Sequence, residues 1–376
     1  MLTQNINKVK CSRLLFFYFM LKYKPWRIGM NQIGNNLKRI RLIKNLSLKE
    51  AGNLLGMSST AVNKYEKGVL NADSTKLILF SNAYNVSPFE FLKKEYEKKI
   101  NLTSFRKRKR LTGRNLELLK DEINRKINEY FEVLELNSLE KVQVQLKKYS
   151  CFSLEDAEIS ANDFRKDNQL SLKQPIFDLM NTLENLGIVI IEINNINNKF
   201  NDFDGASEII DGIPFIILLK NTSDGARQRF TIAHELGHMV LDIKENQINE
   251  EKACDRFASS LLMPSVAVIN EFGISRNSLN FYELNAFKNE YKVSYSSIIY
   301  RLEDLNIISE YLYKKWMIII NKTIGKEDKK PIPTENSFQY KKLVHKLKSE
   351  NIISISKACE LLGVLENDYY EEDNRY

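Results

Sequence analysis

Cysteine is scarce in this sequence, and its spacing excludes two common architectures. The four cysteines, at positions 11, 151, 254 and 359, lie far apart and form no Cys-x-x-Cys pair. Neither a disulfide framework nor a zinc ribbon is indicated, so we expect a cytoplasmic protein in a reducing compartment.

Long hydrophobic runs are lacking as well. The apolar run Leu14–Leu21 is far shorter than the ~20 residues that a helix needs to cross a bilayer. Lys22, Lys24 and Pro25 follow it, rather than the small residues of a signal-peptide cleavage site. We therefore expect no membrane partner, and we interpret residues 1–29 as an extension upstream of a natural start at Met30.

Acidic residues are sparse in the first third of the chain. Residues 1–113 contain 23 Lys and Arg against 6 Asp and Glu, a net charge of +17, whereas the remaining residues carry 33 against 42, a net charge of −9. A basic N-terminal part and an acidic remainder indicate a nucleic-acid-binding module joined to a domain with another function.

Histidine is rarer still, and two of the three histidines lie in one helical stretch. His234 and His238 are four residues apart, which places them ~40° apart around a helix and one turn along it, so both rings can bind one ion. Glu235 completes the H-E-x-x-H arrangement, in which a metal ion acidifies water and the glutamate takes its proton. The motif predicts a hydrolytic zinc site, with simple packed or surface histidines as the alternative. His345 lies in a different segment.

A catalytic zinc ion usually has three protein ligands, so one more is needed. Glu251, on the next predicted helix, is the candidate. Asp255 shares its helical face and is the predicted partner that orients a ligating histidine. Glu250 competes with Glu251 as the ligand. Cys254 is expected to be a small buried residue, since three ligands are already supplied.

Residues 31–94 have the pattern of a bundle of short helices. Ser47 and Glu50 form a capping box that begins one helix, which Gly56 ends, and Ser58 can cap the next helix, which ends at Gly68. Two short helices joined by a tight glycine-containing turn form a helix-turn-helix, whose second helix enters the major groove of DNA.

Two stretches resemble the ImmA/IrrE family of metallopeptidases: Arg-Gln-Arg-Phe-Thr-Ile-Ala-His-Glu-Leu-Gly-His at 227–238 and Phe-Ala-Ser-Ser-Leu-Leu-Met-Pro at 257–264. This resemblance implies a minimal zincin with Zn²⁺ as cofactor that cuts DNA-binding regulators. Asp242 departs from the pattern, which commonly has a histidine at that position. On family placement alone, Tyr300 and Arg301 are candidate donors to the oxyanion.

The N-terminal bundle resembles the Xre-type (Cro/repressor-like) helix-turn-helix domain, notably at Leu37–Arg41, Ala51, Gly56, Val62, Glu66 and Gly68. This resemblance implies that double-stranded DNA is contacted by Ser59, Thr60, Asn63 and Lys64. Asn63 can bind adenine through two hydrogen bonds, and Lys64 is expected to meet phosphate. Glutamine is frequent where Ser59 stands, so an uncommon operator is expected. A bundle used only for protein contacts is the alternative.

The remaining patterns define the fold class: multidomain, with an all-α helix-turn-helix bundle, an α+β minimal zincin-like domain with a small mixed sheet, and a helical C-terminal region. Strands are predicted at 188–193, 203–210 and 214–219. The predicted domains are an extension (1–29), the helix-turn-helix domain (30–95), a basic linker with connector helices (96–170), the metallopeptidase domain (171–272), its helical extension (273–325), and a linker with C-terminal helices (326–376).

Together these patterns predict a DNA-binding regulator that carries a zinc-dependent endopeptidase. The expected partners are double-stranded DNA and a protein substrate, a repressor or antitoxin-like regulator whose cleavage controls transcription; a homodimer is also compatible with the pattern. The alternative is an Xre-type transcription regulator whose metal site is structural or sensory, without proteolysis. Glu235 favours the catalytic interpretation, because a purely structural metal site does not need a general base beside a metal-bound water.

Overall fold

The computed structural model describes residues 30–86, 88–92, 113–139, 144–219, 224–244, 248–323, 331–364 and 366–373. The predicted extension 1–29 and the basic run 106–110 lie outside these residues. The described residues form two compact units, one up to Arg125 and one from Lys126 onwards. None of the helices in the described ranges is long and apolar enough to cross a membrane.

The first unit is a bundle of short helices, as predicted. Its elements are α1 (Met30–Ile43), α2 (Leu48–Leu55), α3 (Ser59–Glu66), α4 (Ser74–Tyr84) and a 3₁₀ turn (Pro88–Phe91). The capping box is present, because the Ser47 hydroxyl accepts from the Glu50 N–H while the Glu50 carboxylate accepts from the Ser47 N–H. Gly56 ends α2 with φ of 64°, a conformation that favours glycine.

A buried ion pair joins the first helix of this unit to the third. Arg41 donates from Nε to Glu66 Oε1 (2.5 Å) and from one terminal nitrogen to Oε2 (2.8 Å), and its other terminal nitrogen donates to the Leu46 carbonyl (2.8 Å). Gly34 permits this approach, since an added Cβ would lie 2.6 Å from the Glu66 carbonyl oxygen. The pair fixes how α3 packs on α1, and so the direction in which the outer face of α3 points.

The second unit surrounds a small sheet with helices. The strands are β1 (Tyr149–Ser150), β2 (Val189–Ile193), β3 (Gly205–Ile210), β4 (Ile213–Leu219) and β5 (Leu241–Asp242). The helices are α5 (Gly113–Leu136, of which residues from Lys126 onwards belong to this unit), α6 (Leu154–Asp167), α7 (Leu179–Asn185), α8 (Gly225–Val240), α9 (Glu250–Leu262), α10 (Ser265–Phe272), α11 (Phe281–Tyr291), α12 (Tyr295–Asp304), α13 (Glu310–Thr323), α14 (Gln339–Ser349), α15 (Ile355–Leu362) and α16 (Glu366–Asp373).

The main sheet is mixed, as predicted. Its order is β2-β4-β3; β2 pairs with β4 in parallel, and β4 pairs with β3 antiparallel, with Ser207 opposite Ile216. Every residue of β4 is buried, which explains its continuous apolar sequence. Asp211 and Gly212 have φ of 53° and 79° and join β3 to β4 in a tight hairpin. Among the described strands, β3 lies at one end of this sheet.

One continuous core holds most of the second unit together. It contains Phe164 on α6, Phe257 on α9 and Trp316 on α13. Packing therefore continues across residues 170 and 272, and the domain boundaries expected there stay a prediction. A smaller core joins Val133 of α5 to the C-terminal helices through Val344 and Leu361. The residues after 330 thus pack as part of this unit.

Candidate metal centre and DNA-facing helix

The helix that carries the predicted zinc motif is α8. Asp224 caps its start by accepting from the Ala226 N–H (3.0 Å). Glu235 on this helix is 1% exposed and His234 is 9% exposed. Both side chains therefore lie largely out of solvent within the second unit.

A glycine brings α9 close to α8. A Cβ added at Gly237 would lie 3.2 Å from the Cα of Cys254, which is tighter than an ordinary van der Waals contact. The absence of a side chain at Gly237 therefore lets the backbones of α8 and α9 pack closely where they cross. Cys254 is fully buried at this crossing, as expected. Burial raises the pKa of its thiol, with the surrounding acids adding to the effect, so it stays a neutral packing residue.

The three predicted ligands meet where the two helices cross. The Nε2 atoms of His234 and His238 are 3.1 Å apart. Glu251 reaches both rings, with Oε2 3.4 Å from Nε2 of His234 and Oε1 3.6 Å from Nε2 of His238. Ligand atoms around a tetrahedral zinc ion with bonds of ~2.0–2.1 Å lie roughly 3.3 Å from one another. The spacing of these side chains therefore fits a zinc ion.

Each ring also has an outer carboxylate. Nδ1 of His234 lies 2.8 Å from Asp255 Oδ1, the partner that the sequence analysis predicted. Nδ1 of His238 lies 3.0 Å from Glu250 Oε1. Glu250, considered above only as a rival ligand, is thus placed as an orienting partner. The sequence could have indicated this role, because each of two ligating histidines needs an outer hydrogen-bond acceptor for its Nδ1 proton.

This arrangement leaves a place for a cation. A ring that donates its Nδ1 proton to a carboxylate keeps a lone pair on Nε2, and here both Nε2 atoms and a carboxylate face one point. Burial lowers the pKa of His234, but hydrogen bonds to Asp255 and Glu251, together with the charge of Glu235, raise it to about 9.

A residue of the sheet fixes the orientation of the Glu235 side chain. Ser207 on the edge strand β3 donates its hydroxyl to Glu235 Oε2 at 3.0 Å, in a buried position. Gly205 on the same strand lets α8 approach, since an added Cβ would lie 2.6 Å from Thr231 Cγ2 and 3.4 Å from Glu235 Cγ. Nothing in the sequence singles out Ser207, because its role depends on how the strand packs against the helix.

The two candidate oxyanion donors have different surroundings. Arg301 is fully buried, donates to both carboxylate oxygens of Glu158 and to the Met263 carbonyl, and pairs with Asp304. These contacts make Arg301 a packing element between helices rather than a donor to a substrate. Tyr300 is 51% exposed on α12.

The predicted DNA-contacting residues lie together on α3. Ser59, Thr60 and Lys64 are exposed and Asn63 is partly buried. Ser58 caps this helix by accepting from the Ala61 N–H (3.1 Å). Residues at i and i+4 share a helical face, so the four side chains form one continuous surface. Their contact with DNA stays a prediction.

Comparison with known families places a domain on each unit. Residues 37–91 match the family model described as Helix-turn-helix, and residues 183–303 match the model described as an IrrE N-terminal-like domain, Peptidase_M78. No curated protein matches the chain. The chain thus carries an Xre-type helix-turn-helix domain followed by an IrrE N-terminal-like peptidase domain, in the predicted order.

Proposed function

We propose that this chain, a helix-turn-helix domain followed by an IrrE N-terminal-like peptidase domain, is a DNA-binding regulator that acts as a zinc-dependent endopeptidase on a partner protein. One observation carries the proposal: a buried carboxylate, Glu235, lies on the same helix as two histidines whose rings and Glu251 converge on a single point. A structural zinc site has no use for such a carboxylate.

His234, His238 and Glu251 would hold the metal ion. Both imidazole rings are oriented by outer carboxylates at 2.8 and 3.0 Å, which is how ligating histidines are commonly fixed. A bound Zn²⁺ supplies a water of lowered pKa and polarises a substrate carbonyl.

Glu235 is the general base. Ser207 holds one of its carboxylate oxygens, so the carboxylate has a defined orientation before substrate arrives. It accepts a proton from water and returns it to the leaving amine, which is the work that this glutamate performs in the H-E-x-x-H arrangement.

The substrate is an extended segment of a protein, which would bind near β3, the strand that contacts the base. Among the described strands, β3 lies at one end of the sheet, and its Ser207 contacts the base. The class of substrate follows from the rest of the chain: a helix-turn-helix domain brings the peptidase to promoters, where repressors and antitoxin-like regulators are found.

Replacement of Glu235 by glutamine tests the proposal. Glu235→Gln should keep the zinc content of the wild type and lose cleavage by about 10²–10⁴-fold, the usual worth of a general base. Tagged Glu235→Gln protein should also co-purify with its uncut substrate. Glu271→Gln, at an exposed position on α10, is the matched control and should behave as wild type.

A metal site that only senses or stabilises would give the opposite result. If Glu235→Gln still relieves repression at the target promoter, the enzyme proposal fails and the chain is a transcription regulator without proteolysis.

A further inference from the structure

An irregular segment, residues 331–338, lies against the start of the metal-binding helix α8; we call it the strap. It has neither helix nor strand, yet several of its side chains are buried. The Ile332 carbonyl accepts from the Gly225 N–H at 2.9 Å. A Cβ added at Gly225 would lie 2.6 Å from the Pro333 carbonyl carbon, so the strap requires a glycine at the first position of α8. The strap follows the residues 183–303 that the peptidase model matches, but it packs on the helix that carries the metal-binding motif.

Glu335 joins the strap to two helices. Its carboxylate forms an ion pair with Arg229 on α8, and its second oxygen accepts from the Met180 N–H of α7 at 2.9 Å. The side-chain amide of Gln228 donates to the Glu335 carbonyl (3.2 Å) and accepts from the Glu335 N–H (2.8 Å). Both carboxylate oxygens and both backbone polar groups of Glu335 are therefore bonded to α7 or α8.

Arg229 is fully buried, so its charge depends on the strap. One terminal nitrogen of its guanidinium pairs with Glu335, and the other donates to the Ile176 carbonyl at 2.7 Å. Water cannot replace a lost partner at such a place, and an uncompensated buried charge is strongly destabilising. Loss of the Glu335 carboxylate would therefore force Arg229, and the turn of α8 that carries it, toward another position.

The strap and the metal ligands contact opposite sides of α8. Successive residues are ~100° apart around a helix, so Arg229 and His238, nine positions apart, differ by about 180°. On the metal side, α9 brings Glu251 to 3.4 and 3.6 Å from the two Nε2 atoms. Metal–ligand distances tolerate changes of only about 0.2 Å. A small shift or rotation of α8 would therefore alter the metal centre.

We propose that Glu335 is a positioning residue of the metal centre. By pairing with Arg229 it fixes the depth and the rotation of α8 in the second unit, and so the distance from the two histidine rings to Glu251. Its polar contacts are with Arg229, Gln228 and Met180, so it acts through the helix rather than on the metal ion. This role rests on the proposed metal site but not on proteolysis, and it makes residues beyond 303 part of the metal-binding unit.

Competition against a chromophoric chelator measures the zinc Kd of the full-length protein. Glu335→Gln keeps the shape of the side chain and an acceptor for the Met180 N–H but removes the charge that pairs with Arg229. Its zinc Kd should rise about fivefold or more. Ser337→Ala is the matched control, because the Ser337 hydroxyl donates to Glu184 Oε1 at 2.6 Å instead of to α8. This control should keep the wild-type zinc Kd even if its thermal midpoint falls, so a merely structural role of the strap would leave both zinc Kd values unchanged.

Gln228→Ala is the second variant, and it carries the test if Glu335→Gln does not fold. It removes two hydrogen bonds to the backbone of Glu335 without leaving a buried charge unpaired, and its zinc Kd should rise about twofold or more. The double variant Arg229→Gln with Glu335→Gln should bind zinc more tightly than Glu335→Gln alone, because it leaves no buried charge without a partner.

Hydrogen–deuterium exchange of the zinc-free protein gives a readout that does not need the metal ion. The amides of residues 225–240 should exchange faster in Glu335→Gln than in wild type or in Ser337→Ala. A wild-type zinc Kd in folded Glu335→Gln or in Gln228→Ala, an equal loss in Ser337→Ala, or unchanged exchange of α8 would each overturn the positioning role. Zinc binding without peptide cleavage would instead refute only the endopeptidase proposal, and absence of zinc binding by the wild type would refute both.

Discussion

Replacement of Glu250 by glutamine is the sharpest test of how the metal centre is built. Glu250→Gln keeps the shape of the side chain but removes the charge that faces Nδ1 of His238 at 3.0 Å. Loss of an outer carboxylate typically lowers metal affinity 10–100-fold. The Glu250 side chain is 40% exposed, so water partly replaces the lost acceptor, and we expect the lower end, about tenfold, or about 1.4 kcal/mol.

Two matched variants rank the acids around the histidines. Asp255→Asn removes the charge of the carboxylate that lies 2.8 Å from Nδ1 of His234, and the Asp255 side chain is 52% exposed. This variant should therefore lower zinc affinity by a factor similar to that of Glu250→Gln. Glu251→Gln changes a proposed metal ligand and should lower zinc affinity clearly more than either of the other two variants. Glu271→Gln, on α10, should leave zinc affinity unchanged.

The assay is zinc competition against a chromophoric chelator with purified full-length protein, together with thermal midpoints that confirm folding. Wild-type affinity in Glu250→Gln would refute the orienting role. A loss in Glu250→Gln as large as that in Glu251→Gln would refute the ligand assignment instead, because Glu250 would then share the metal ion directly.

Three further predictions concern DNA binding and stability. Arg41→Ala should lower the free energy of unfolding of the first unit by ~3–5 kcal/mol in urea titrations, because it leaves the buried Glu66 carboxylate unpaired; a loss below ~1 kcal/mol would contradict this. Lys64→Ala should weaken binding to all DNA sequences alike and reduce the slope of log affinity against log salt by about one; a sequence-selective loss would place Lys64 on a base. Burial raises the pKa of Glu158, but hydrogen bonds from Arg301 and its charge outweigh burial and lower it below its ordinary 4.5. A lowered carboxylate pKa stabilises the fold above the ordinary value, and that stability is lost as pH falls through the folded value. Glu158→Gln should therefore flatten the pH dependence of stability below about pH 4.5, and an unchanged acid limb would count against the ion pair.

The local parts of this protein follow from the sequence. The capping box at Ser47, the glycine that ends α2 and the cap of α8 at Asp224 are set by residues within a few positions of one another, and the structure has all three. The i, i+4 spacing of His234 and His238 likewise brings two imidazoles together on any regular helix. Helical periodicity and residue type are enough for such features, because the interacting groups are neighbours in the chain.

Tertiary structure alone decided which acid does what. Glu250 and Glu251 are adjacent in sequence, and only the crossing angle of α9 over α8, made close by Gly237, turns one toward both Nε2 atoms and the other toward a single Nδ1. Ser207 owes its role to the packing of β3 against α8, which joins segments far apart in the chain. Sequence spacing cannot specify such contacts, since a rotation of one residue about a helix, ~100°, exchanges one carboxylate for its neighbour.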